Sequence, residues 1–224
     1  MNTAPHGEDM PPRRALTWIG AFGLLLTFVG MMGLGDGPNP TLSAGVIAEH
    51  FQTVSDDVLL VAPAGYLGAA LVGGFIAALA RFLHARGEKG AAWTVIGGGT
   101  LVTGYVLLMH LLFTILGYEI AWTSAEATKT LFVASILAMP LLGLGGALVL
   151  GAGTYAAHKI ALLPRWWVVA SAVGAAVSAV AIFSYARSEV FSPDVQQQIV
   201  TGVLYVWVVA TLVALRPKRL RGSA

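Results

Sequence analysis

AWTVIGGGTLVTGYVLLMHLLFTILG, residues 92–117, runs for 26 positions without an aspartate, glutamate, lysine or arginine. At 1.5 Å per residue a helix of that length reaches about 39 Å, enough to cross roughly 30 Å of hydrocarbon. A membrane β-strand would be about ten residues long and alternate in polarity, so this continuous run satisfies its backbone only as a helix. Outward from it lie five more runs of the same kind, at residues 15–35, 58–80, 131–155, 166–185 and 195–215. All 13 basic and 11 acidic side chains fall outside the six. With 57% hydrophobic and 11% charged residues, the chain is far from the roughly 25% charge of a soluble domain. Its mean hydropathy of +0.77 agrees. The expected fold class is therefore all-α: a polytopic, multi-pass transmembrane bundle of six helices over residues 15–215. Residues 1–14 are expected to form a disordered cytoplasmic tail and residues 216–224 a basic cytoplasmic tail.

Lysine and arginine set the expected orientation. With the N-terminus inside, eleven of the 13 basic residues fall on the cytoplasmic side, and Lys129 and Arg187 alone fall outside. That bias predicts N-in and C-in. The first outer loop begins with the turn sequence Gly37-Pro38-Asn39-Pro40. After Thr41 or Ser43 as N-cap, Val46, Ile47, Phe51 and Val54 share one face, which predicts a short interfacial helix. Ser55, Asp56 and Asp57 would then cap the second span, with carboxylates at its positive end.

Small residues recur every fourth position at Gly65, Ala69, Gly73 and Ala77, at Gly143, Ala147 and Gly151, and at Ala170, Gly174 and Ser178. Such faces let helices approach closely, within the chain first, and otherwise against a second copy or another membrane protein. Pro63 and Pro140 are expected to kink the second and fourth spans.

Candidate chemistry is sparse. Cysteine is absent, which excludes disulfides, thiol catalysis and cysteine-held metal centres. Gly97-Gly98-Gly99-Thr100 lacks the Gly-Lys-Ser/Thr ending of a phosphate loop and lies within a span. Glu49-His50 has no metal-site spacing, and adjacent helical residues point about 100° apart. Neither a metal nor a cofactor is expected, and no nucleic acid. His110 stands apart as the ionisable side chain deep in a span. Nine residues before Glu119, it lies about 13 Å below that outer carboxylate. Thr103, Thr114 and Tyr118 share its face, so His110, Thr103, Thr114 and Tyr118 form a candidate intramembrane polar site. A neutral ring there needs one acceptor and one donor; Ser135, Ser178 and Tyr205 are candidate hydroxyls, and a backbone carbonyl is another. Arg165 and Trp166, with Arg216, Lys218, Arg219 and Arg221, are candidate anchors for lipid head groups.

At Leu163-Pro164-Arg165-Trp166, before the fifth span, the sequence resembles a group of uncharacterised actinobacterial six-helix membrane proteins. Those proteins share a segment like Ser43 to Phe51 (SAGVIAEHF) and a short basic tail. The resemblance implies the six-helix fold and a plasma-membrane location, and carries over no catalytic residue. The expected role is that of an integral membrane protein without a catalytic motif, binding membrane lipids or a partner. The alternative is a small-molecule permease or sensor with a cavity around His110.

Overall fold

Ile47, Phe51 and Val58 follow one another at helical spacing, and this buried face begins well before the second span. In the computed structural model, which describes residues 13–32, 37–118, 124–160, 165–183 and 193–214, that face draws the outer-loop segment and the span into one helix. The helices are α1 (Arg13–Met32), α2 (Ala44–Ala85), α3 (Lys89–Gly117), α4 (Ala125–Leu137), α5 (Met139–Lys159), α6 (Arg165–Val180) and α7 (Pro193–Ala214), with a 3-10 turn, Ala181–Phe183, ending α6. Among the described residues there is no strand, as the continuous apolar runs require. Four units are long and apolar enough to cross a membrane: α2, α3, the α4–α5 pair and α6 with its 3-10 turn. α1 and α7 carry shorter apolar stretches, Trp18–Gly30 and Val195–Thr211.

α2 has 42 residues, about 63 Å of helix and twice a hydrocarbon thickness. The segment expected as a separate interfacial helix is helical, but it continues directly into the span. The expected cap does not form, because Ser55 Oγ donates back to the Gln52 carbonyl at 3.0 Å. What holds the extension is aromatic packing: the Phe51 ring lies 5.8 Å from Phe113 of α3 and 5.5 Å from Phe132 of α4. At its start, the Thr41 amide and hydroxyl both donate to Asn39 Oδ1, at 2.9 and 2.7 Å. Ser43 is the N-cap by its extended backbone, without a side-chain hydrogen bond.

The fourth span divides at Ala138, with Pro140 in the first turn of α5 where its missing N–H costs nothing. Pro63 stays inside α2 without interrupting it. Gly87, at φ 87°, makes the turn from α2 to α3, a conformation glycine adopts freely. Lys159, at the end of α5, forms an ion pair with Glu88 of that turn at 2.9 Å. The hydrogen bond and charge of Glu88 raise the Lys159 pKa above its ordinary value.

α2 packs mainly on α1 and α3, α3 also on α5, and α5 on α6; α7 touches α5, α1 and α6 more lightly. Where α3 crosses α5, glycine meets glycine: a Cβ on Gly98 would stand 2.8 Å from the Gly145 carbonyl oxygen, and one on Gly145 would stand 2.7 Å from that of Gly98. Gly65 and Gly73 of α2 and Gly143 of α5 likewise meet His110, Thr103 and Ser178 of neighbouring helices. Two cores result. One surrounds Phe75, Leu79, Leu83, Val95, Leu150 and Trp207, and the other Phe51, Tyr105, Phe113, Phe132 and Met139.

Candidate functional site

His110 sits at a close crossing of α1, α2 and α3. Its ring is 2% exposed and lies against the backbone of Gly65, so that a Cβ there would collide with ring Cδ2 and Nε2. A Cβ on Gly30 of α1 would strike the Gly65 backbone itself and stand 3.0 Å from His110 Nε2. His110 Nδ1 is 2.8 Å from the Val106 carbonyl oxygen. A carbonyl only accepts, so Nδ1 carries the proton and Nε2 the lone pair. Nε2 has no hydrogen-bond partner among the described residues.

The rest of the expected polar stripe is distributed. Thr114 Oγ1 donates to the His110 carbonyl at 2.7 Å and lies 3.1 Å from the Tyr66 hydroxyl, whose ring centroid is 6.0 Å from that of His110. Thr103 faces Gly73 of α2, with a Cβ on that glycine 3.3 Å from Thr103 Oγ1. Tyr118 is exposed at the end of α3. Of the hydroxyls named as partners for His110, Ser135 donates to the Phe132 carbonyl at 2.6 Å, and Ser178 lies against Gly146. The histidine uses its own helix instead, because a carbonyl one turn back needs no second helix in register.

A cavity of about 60 Å³ lies between α1, α2, α3, α5 and α7. Its walls are mostly apolar, with Thr27, Thr103, Tyr105, Gln197, Thr201 and Tyr205 as the polar members. It touches Val106 and Met109 beside His110, but the His110 ring is not part of its wall. Tyr105 is fully buried, and its hydroxyl has no hydrogen-bond partner among the described residues. Gln197 Nε2 donates to Met109 Sδ at 3.1 Å, a weak acceptor.

Between α6 and α7 runs a groove of about 390 Å³. Trp167 and Ser171 wall it from α6, Trp207 from α7, and Val173, Gly174, Ile199 and Val203 line its length. Sequence reading had placed Ala170 and Gly174 on a small-residue face. Nothing in the sequence pairs Trp167, which reads as an interface residue, with Ser171 and Trp207; the three line one groove only once α7 lies beside α6. Arg165 and Trp166 are exposed in the first turn of α6; Arg216, Lys218, Arg219 and Arg221 lie outside the described residues. Among the described residues no cluster of three or more histidine and carboxylate side chains has the geometry of a metal site. No protein-family model, curated protein or solved structure matches the chain.

Proposed function

We propose that the chain is an integral plasma-membrane protein, N-in and C-in, that binds membrane lipid or another membrane protein and carries out no reaction of its own. The observation that carries this reading is the groove between α6 and α7, apolar along its length and open at one face of the bundle. On the small-residue faces of α2 and α5, Gly65, Gly73 and Gly143 are engaged within the chain, whereas α7 is lightly packed. Grooves of this kind take acyl chains or a partner helix. The resemblance at Leu163-Pro164-Arg165-Trp166 supports the same location. Extraction in a mild detergent followed by native mass spectrometry tests the reading: a stoichiometric lipid or protein adduct is expected. A homogeneous, folded protein that carries neither contradicts it.

A permease or sensor is the second reading, favoured by the interior cavity and the buried Tyr105 hydroxyl on its wall. A small molecule that raises the melting temperature of the parent but not of Tyr105→Phe would move the assignment to that reading.

A further inference from the structure

We infer that residues 44–57 of α2 form a hinged lid over the outer end of the interior cavity, with two states: packed on α3 and α4 while α2 is continuous, and released when the span starts afresh at Ser55. This rests on the permease or sensor reading above, since a cavity in that role needs a way in.

α2 and α3 run antiparallel and stay in step along the bundle: Gly73 meets Thr103, Gly65 meets His110 and Leu59 meets Gly117. Were α2 straight beyond Leu59, Phe51 would stand about 18 Å above the level of Phe113, eight residues along α2 plus four along α3. Instead the two ring centroids are 5.8 Å apart, and Phe51 also reaches Phe132 of α4 at 5.5 Å. The arm is therefore bent over the end of α3 without a break in the helix. The bend falls in residues 52–63, and the sequence there supplies its causes. The hydroxyls of Ser55 and Thr53 donate back to the Gln52 and Glu49 carbonyls, at 3.0 and 2.9 Å, contacts that bend helices. Pro63 has no N–H for the Leu59 carbonyl, and its ring crowds that group.

The same stretch encodes the second state. Once free of Gln52, the Ser55 hydroxyl would cap the amide of Asp57 or Val58, and the carboxylates of Asp56 and Asp57 would lie at the positive end of the shortened helix. That cap competes with the packing of Phe51 and with a latch at the tip of the arm, where Lys129 Nζ of α4 donates to the Leu42 carbonyl at 2.8 Å. Beneath the arm lies the route inward. Phe113 and Phe132 share one core with Met109 and Leu142, which line the cavity, and Phe113 stands a single turn, about 6 Å, beyond Met109. Lifting Phe51 strips the outer layer from that turn.

The test uses the full-length chain in lipid nanodiscs, with spin labels on Glu49→Cys and Glu126→Cys, both exposed, and distances read by double electron–electron resonance. A major short distance and a minor longer one are expected. Ser55→Ala removes the competing cap and should deplete the longer population about fivefold, whereas Lys129→Met removes the latch and should enrich it about fivefold. Neither substitution touches the aromatic rings, so both variants should melt near the parent. With Met109→Cys as a single cysteine, reaction with a water-soluble methanethiosulfonate should be slower beside Ser55→Ala and faster beside Lys129→Met. A single distance that neither substitution moves overturns the lid, and two distances with unchanged Met109→Cys reactivity overturn its role over the cavity. The permease or sensor reading falls separately, if no small molecule raises the melting temperature of the parent without raising that of Tyr105→Phe.

Discussion

Gly65 and Gly30 are both glycines at one helix crossing, yet a methyl group added to each would meet a different obstacle. At Gly65 the added Cβ strikes the His110 ring, a side chain; at Gly30 it strikes the Gly65 backbone. Gly65→Ala should therefore lower stability by about 1–3 kcal/mol, as overpacking does. His110→Ala should recover most of that loss in the double variant, while giving no such rescue to Gly30→Ala. Thermal unfolding in detergent of the three single and two double variants reads the coupling; equal rescue at both glycines, or none at Gly65, would show that the ring is not the wedge. His110 was legible in the sequence as the ionisable group deep within a span. Its neighbours were not. A glycine carries no side-chain signal of what presses on it, and a backbone carbonyl like that of Val106, which accepts the imidazole hydrogen bond, is a group every helix offers.

Helix boundaries were the less legible part. The sequence marks Ser55-Asp56-Asp57 as a start, since those residues favour N-caps. Tertiary packing overrides this preference, because Phe51 gains two ring contacts on α3 and α4 only if the helix runs through. The break at Ala138, by contrast, follows from Pro140, which was readable directly. The outer extension of α2 also carries His50, edge-on to Phe51 at 5.4 Å and with its pKa lowered by burial. The folded state holds that proton less tightly than the unfolded chain does. Stability is thus full above the ordinary histidine value of about 6.5 and declines as the pH falls through the lower folded value. Melting temperatures measured from pH 7.5 to 5 should fall for the parent and fall less for His50→Asn. Parallel profiles would contradict this. At the α3–α5 crossing, Gly145→Val should separate the helices and cost about 1–3 kcal/mol; an unchanged melting temperature would contradict the close approach of Gly98 and Gly145.

For the molecule as a whole, six charge-free runs and an eleven-to-two division of lysine and arginine made the all-helical fold and its proposed orientation legible before any contact was known. Pairwise arrangement was not, because apolar faces in lipid carry little information about which helix covers which. The α6–α7 groove is the clearest case, as Trp167 and Trp207 line it together only once the two helices lie side by side. The aromatic residues fit the orientation: Trp18, Trp93 and Trp166 begin three parallel helices and are 74, 67 and 68% exposed, as an interfacial belt requires. The central claim, a membrane bundle with both termini inside, is tested most directly by single cysteines in a chain that has none. Ser43 and Ser124 precede α2 and α4 on the proposed outer side, and Gly90 begins α3 on the inner side. Gly90 suits the probe better than Gly87, whose positive φ would strain a cysteine. With an impermeant maleimide added to intact cells, Ser43→Cys and Ser124→Cys should label, and Gly90→Cys should label only after the membrane is opened. Labelling of Gly90→Cys in intact cells without labelling of the other two would invert the orientation, and equal labelling of all three would contradict a membrane-spanning bundle.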